Sequence, residues 1–206
     1  MSISGQIQQI EQGIASLGLS PDKFPIERYI DFLAELSRWN KAYNLTAVRN
    51  IDDMVSHHIL DSLSVFPYLH GKRCLDVGTG AGLPGLPLAM ASPASQWVLV
   101  DSNIKKTRFV THVVQIFKIT NVEVIHCRIE DYEPKHKFDS IVSRAFSNLE
   151  SFVEKTSHLL TENGKLLAMK GNISSQELDG IHNREIEIQN LQVPGVNTER
   201  NLAIII

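Results

Sequence analysis

A chain of 206 residues with 43% apolar and 21% charged side chains is sized for one globular domain with a modest extension. No apolar run approaches the ~20 residues of a membrane span, and the first residues lack the basic start and apolar stretch of a secretory signal, so a cytoplasmic protein is expected. Two distant cysteines, Cys74 and Cys127, argue against a disulfide scaffold, and a net charge of −3 excludes a global positive field, so any contact with a polyanion must be local.

In chain order, Ile3, Ile7, Ile10, Ile14 and Leu17 recur at helical spacing and stop at Gly18, a left-handed cap. Ser20-Pro21 reads as the N-cap and first-turn proline of a second helix, whose apolar stripe is Phe32, Leu36, Trp39 and Tyr43. Asn50, with Asp52 and Asp53 behind it, opens a third helix running to about Leu69. From Lys72 the pattern changes to short apolar runs separated by helical segments, which implies parallel strands with crossover helices. Strands are predicted near 73–77, 97–101, 122–126, 138–143 and 164–170, with helices near 84–92, 104–118 and 149–161. Two further runs, Ile186 to Val193 and Leu202 to Ile206, flank Pro194-Gly195 and predict an antiparallel hairpin at the sheet edge. The expected fold is α/β with a seven-stranded, mostly parallel sheet, divided into a helical region at 1–70 and a ligand-binding domain at 71–206.

The most informative motif, Asp76-Val-Gly78-Thr-Gly80-Ala-Gly82-Leu-Pro-Gly85, lies where the first strand meets the next helix. Gly80, Gly82 and Gly85 satisfy G-x-G-x-x-G, which points to a nicotinamide or flavin dinucleotide, with Asp101 where the ribose-binding acid belongs. The same stretch also reads as D-x-G-x-G-x-G, which resembles the first motif of S-adenosylmethionine methyltransferases. An acid in that place suits a ligand carrying an ammonium and a sulfonium better than a pyrophosphate. Asp76 could instead cap the loop. Asp101 can accept from ribose hydroxyls under either reading, and Glu130 would sit beside an adenine.

Other chemistries find little support. Amino methylation of adenine calls for an Asn/Asp-Pro-Pro-Tyr/Phe segment after the fourth strand, where this chain has Ser143-Arg144-Ala145-Phe146. Methylation of a pyrimidine carbon needs a cysteine nucleophile, but Cys74 belongs to the first strand and Cys127 ends the third. His57, His58 and Asp61 lack the spaced partners of a metal site, and no metal is expected.

Five motifs in register carry a family resemblance: Trp39-Asn40-Lys41-Ala42-Tyr43-Asn44-Leu45-Thr46, His58-Ile-Leu-Asp61-Ser62, the glycine loop with Leu83-Pro84-Gly85, Ser143-Arg144-Ala145, and Lys170-Gly171. Together they resemble the RsmG (GidB) family over almost the whole chain. The resemblance implies a Rossmann-like class I S-adenosylmethionine methyltransferase behind a helical N-terminal part. Its implied reaction is methylation of N7 of one guanine in the decoding-region loop of 16S ribosomal RNA. By motif, it also implies that Gly78, Leu83, Ile129, Glu130 and Arg144 serve the cofactor, beside Asp76, Gly80, Gly82 and Asp101 from the loop argument.

An N7 target fits elementary chemistry, because that nitrogen has a free lone pair and needs no general base. Catalysis then reduces to positioning. Arg144 and Lys170, at the ends of the fourth and fifth strands, are expected to hold the base or its phosphates, although salt bridges at the sheet's end would explain them too. Trp39 is expected to pack and Asn44 to reach the active site or RNA. Between Ser102 and Val122 there is no acid, and Lys105, Lys106, Arg108 and His112 are candidates for tracking RNA phosphates; a solvated helix face would give the same run. The expected partner is 16S rRNA or the small ribosomal subunit, bound by a monomer. A nicotinamide-dependent oxidoreductase and a non-catalytic RNA-binding module remain as alternatives.

Overall fold

A computed structural model describes residues 2–144, 146, 148–182 and 184–206; Ala145 of the Ser143-Arg144-Ala145 motif lies outside them. Helix α1 (Ile3–Ser16) starts at Ser2, whose hydroxyl accepts the Gly5 N–H, and is followed by Gly18 at φ +75°, the expected left-handed stop. Helix α2 (Ile26–Tyr43) begins later than the Ser20-Pro21 signal predicts. That signal opens only a 3₁₀ turn, Pro21–Lys23, because Pro25 holds Phe24 extended and a helix cannot run through it. Asn50 caps the third helix through the Asp52 N–H, as expected, but the segment is not a regular helix to Leu69. It comprises α3 (Ile51–Met54), a π-helical stretch (Val55–Leu60) and α4 (Asp61–Leu63), and Pro67 then sets a separate 3₁₀ turn at Phe66–Tyr68.

The second part of the chain alternates: β1 (Arg73–Val77), α5 (Gly85–Ala91), β2 (Gln96–Asp101), α6 (Ile104–Ile116), β3 (Val122–His126), β4 (Phe138–Ser143), α7 (Leu149–Thr156), β5 (Leu160–Lys170), α8 (Ser175–Asp179), β6 (Ile186–Asn190) and β7 (Asn201–Ile205). Helix α7 ends five residues before the expected 161, and β5 starts earlier than 164. Thr156 and Ser157 turn their hydroxyls onto the Phe152 and Val153 carbonyls, loosening the helix end. Leu160 then pairs with Phe138 across a register shift that the local sequence does not announce.

The strand order is β3-β2-β1-β4-β5-β7-β6, parallel through β5 and antiparallel across β5, β7 and β6. Order reverses between β1 and β4, so their carboxyl ends open the crevice where such sheets bind ligands. Strand alternation builds two cores. Cys74, Trp97, Leu99, Val142 and Leu167 face α5, α6 and the N-terminal helices, whereas Leu75, Val98, Val100, Ile141 and Leu166 face α7. Ile10, Phe32, Leu36 and Leu60 belong to the first of these cores, so residues 1–70 are packed onto the sheet rather than folded around a core of their own. The hairpin turn also presses on this region: a Cβ at Gly195 (φ +78°) would lie 2.3 Å from Ser56 Oγ.

Candidate active site

The loop after β1 is positioned by its glycines and two acids. Gly78, Gly80 and Gly82 all adopt positive φ, for different local reasons. At Gly80 (φ +60°) a Cβ would meet nothing nearer than 3.9 Å, because it would enter a cleft lined by Leu45, Thr46, Leu83, Lys106 and Arg144. At Gly82 a Cβ would fall 2.4 Å from Leu86 Cδ1, so that glycine serves packing. Asp76 is fully buried beneath the loop, where one carboxylate oxygen accepts from Thr79 Oγ1 at 2.6 Å and from the Gly85 N–H at 2.8 Å. Its Oδ1 is buried without a partner among the described residues. Burial raises the Asp76 carboxyl to about 6, against the lowering effect of those two hydrogen bonds.

Asp101 closes β2 and ties the loop to it. Its Oδ2 accepts the Gly80 N–H at 2.8 Å and its Oδ1 the Asn103 N–H at 2.8 Å, while Lys106 Nζ lies 3.9 Å from Oδ2. On the other side Asp101 lines a second cleft with Gly78, Ile129, Glu130, Phe146 and Lys155. Lys155, which sequence reasoning missed, pairs with Glu130 at 2.7 Å and holds that carboxyl below the ordinary range. Cys127 shares this cleft, but burial pushes its thiol up, as it pushes Cys74 to about 12, and neither is poised as a thiolate nucleophile.

A third pocket adjoins both clefts through Arg144 and Phe146; its polar lining includes His57, His58, Asp61, Arg144, Lys170 and Arg200. At its centre is Asp61, only 2% exposed, on the turn that follows the π-helical stretch. Arg144 Nη1 donates to Asp61 Oδ2 at 2.9 Å and to the His57 carbonyl at 3.1 Å. Arg200 Nε donates to Asp61 Oδ1 at 3.1 Å. One buried carboxylate thus bridges two guanidiniums, one from the end of β4 and one from the entry to β7. Lys170 is engaged by Glu177 of α8. His58 meets Thr46 Oγ1 at 3.0 Å, and burial, then the nearby Arg144 charge, lowers its imidazole to about 4, keeping it neutral.

The structure therefore brings Arg144 and Lys170 to one pocket, and Gly78, Gly80, Leu83, Asp101, Ile129 and Glu130 to the adjoining clefts. Asn44 is elsewhere: it is the exposed left-handed C-cap of α2, and its Oδ1 accepts from Arg49. Its neighbours Leu45 and Thr46 line the loop cleft instead. Of the basic run on α6, Lys105 and Arg108 are exposed, Lys106 turns toward Asp101, and His112 is tied to Glu35 at 3.1 Å and packs its ring at a tilt against Trp39, with centroids 5.0 Å apart. Trp39 packs, as expected, against Phe109. In the sequence Asp61 stands in the His57-His58-Asp61 cluster and in the His58-Ile-Leu-Asp61-Ser62 motif without a role of its own, and Arg200 carries no local signal. Among the described residues no group of three or more His, Cys, Asp or Glu could hold a metal ion, and no helix is long and apolar enough to cross a membrane.

The strand order and the glycine loop at the switch point define a Rossmann-like class I methyltransferase fold. A SAM-dependent methyltransferase from Aquifex aeolicus shares the fold with a TM-score of 0.59 at 17% identity, covering 82% of this chain and 97% of its own. The family model described as GidB, rRNA small subunit methyltransferase G, matches residues 25–203. Proteins named Ribosomal RNA small subunit methyltransferase G are 45% identical over 195 residues in Coxiella burnetii (strain CbuG_Q212), covering 95% of both chains, and 47% identical over 200 residues in Pseudomonas syringae pv. tomato, covering 96% of this chain and 95% of its relative. The chain belongs to the GidB family of rRNA small subunit methyltransferases.

Proposed function

We propose that this enzyme methylates N7 of one guanine in the decoding-region loop of 16S ribosomal RNA, acting in the cytoplasm as a monomer without a metal. The observation that supports the N7 reading is the state of the pocket's acid. Both oxygens of Asp61 are engaged by guanidiniums, and the neighbouring His58 is held far below neutrality. Such a pocket suits a nucleophile with no proton to lose, and guanine N7 is one.

The residues present fit S-adenosylmethionine. Gly80 leaves the room that a side chain would fill, Asp101 and Glu130 offer acceptors at the second cleft, and the unpartnered buried Oδ1 of Asp76 adds negative charge beneath the loop. When bound, the cofactor supplies an electrophilic methyl group on a sulfonium. Gly78, Gly80, Leu83, Asp101, Ile129 and Glu130 hold it, and Asp76 both shapes the loop and contributes its charge. Arg144, which lines the loop cleft and the third pocket alike, positions the base against the cofactor, with Lys170 steadying the base or its phosphate. Lys105 and Arg108 track RNA phosphates; Lys106 serves the Asp101 side, and His112 and Asn44 serve the fold.

The test is methyl transfer from tritiated S-adenosylmethionine to small ribosomal subunits lacking the modification, followed by borohydride reduction and aniline scission of the RNA. The expected result is a single cleavage at one guanine of the decoding-region loop. Label that resists this scission would refute an N7 product.

A further inference from the structure

We propose that Arg200, held in place by Asp61, reads O6 of the target guanine and so determines the enzyme's choice of guanine over adenine. This rests on the N7 reading above. Arg200 donates through Nε to Asp61 and through Nη1 to Thr198 Oγ1 at 2.8 Å and the Glu199 carbonyl at 2.9 Å. Its Nη2 has no partner among the described residues, and the side chain, 25% exposed, lines the third pocket. With Nε and Nη1 both engaged, Nη2 is the nitrogen left to donate into the pocket.

Guanine presents two acceptors on its major-groove edge, N7 and O6, whereas adenine presents N7 and the N6 amino donor. An arginine commonly takes both guanine acceptors at once, but here the N7 lone pair must stay free to form the new bond. O6 is therefore the remaining mark on that edge by which guanine can be told from adenine. A donor there satisfies O6 and meets the adenine amino group as donor against donor, leaving two polar groups unpaired.

Placement selects Arg200 over Arg144 for this task. Arg144 lines the glycine-loop cleft as well as the third pocket, so it stands on the side that N7 must face. Arg200 lines the third pocket without lining either cofactor cleft, so it is the guanidinium left for O6 once Arg144 has taken the cofactor side. Asp61 acts through both arginines as a positioning residue. Its charge also moderates the guanidiniums, which would otherwise oppose the positive charge that N7 methylation places on the base.

The test is a cycle between enzyme and base. Small subunits are reconstituted with 16S rRNA carrying either guanine or 2-aminopurine, which keeps N7 and lacks O6, at the target position. Single-turnover methyl transfer at saturating S-adenosylmethionine is measured for the wild type, Arg200→Gln and Arg200→Lys. The wild type is expected to lose about tenfold or more on 2-aminopurine, as for loss of one specific base contact. Arg200→Gln should lose about as much on guanine and little further on 2-aminopurine, with cofactor affinity unchanged. Arg200→Lys, which keeps the charge but not the fork, should fall between and carries the comparison if the Gln variant does not fold. Losses that multiply, or a wild type indifferent to O6, would overturn the proposal. A wild-type product on guanine that is not 7-methylguanosine would instead overturn the reading on which it rests.

Discussion

The tips of β1 and β2 and the tips of β4 and β7 solve opposite electrostatic problems. The first side gathers acids, Asp76 and Asp101, and holds them with backbone amides of the loop that they shape. The second gathers cations, Arg144 and Arg200, and holds them with one acid, Asp61, delivered from the N-terminal helices. The acid side is built from local contacts; the partners Thr79 and Gly85 lie three and nine residues from Asp76. The cationic side is built across 83 and 139 residues. Disturbing the first should therefore weaken cofactor binding, while disturbing the second should slow the reaction of a bound cofactor.

The largest effect is expected for Arg144→Ala. The change removes one of the two guanidinium partners of a buried carboxylate and the group proposed to position the base, and misplacement by about 1 Å can cost on the order of a hundredfold in rate. A fall of about that size in kcat with RNA, and a much smaller change in cofactor affinity, is predicted from stopped single-turnover assays and calorimetry. A loss confined to cofactor affinity would transfer Arg144 to the acid side.

A pH titration of stability sharpens the comparison further. Asp76 is raised to about 6, so the folded state keeps this proton after the unfolded chain has lost it, and stability falls as pH rises from about 4 to 6. His58 is lowered to about 4, so the unfolded chain takes up its proton first, and stability falls as pH drops from about 6.5 to 4. Each contribution is about 3 kcal/mol by linkage, and in the wild type they oppose each other over the same range. Denaturant unfolding of His58→Gln should show stability rising toward pH 4, and that of Asp76→Asn should show it falling more steeply than in the wild type. Identical pH profiles for both variants and the wild type would contradict this assignment.

The smallest effect is expected on the face of α6. Lys105→Ala with Arg108→Ala should raise KM for RNA, flatten its salt dependence by up to about two phosphate contacts, and leave cofactor affinity in place. An unchanged salt slope would return these two exposed side chains to a simple solvated face.

How much of this was legible follows from the same contrast between near and far contacts. The seven strands, the glycine loop and the acids at Asp76 and Asp101 could be read because apolar runs and glycine spacing are local signals. The start of α2 was misjudged because Pro25, not Ser20-Pro21, sets it, and the start of β5 because pairing of Leu160 with Phe138 overrides the helical pattern. Asn44 looked available for the site because it follows the helix off the apolar stripe, but its left-handed backbone makes it the cap. Arg200 could not be found locally, since its meaning lies in Asp61, which the fold brings to it from the other end of the chain.

The most direct test of the central claim is the pH dependence of single-turnover methyl transfer to small subunits at saturating cofactor. With N7 attacking as a neutral nucleophile and no proton to remove, the rate should stay nearly flat from about pH 7 to 9, where Asp76 is ionised and His58 neutral. A rate that climbs tenfold per pH unit across that range would mean that an essential base removes a proton from the substrate, and would contradict the N7 mechanism.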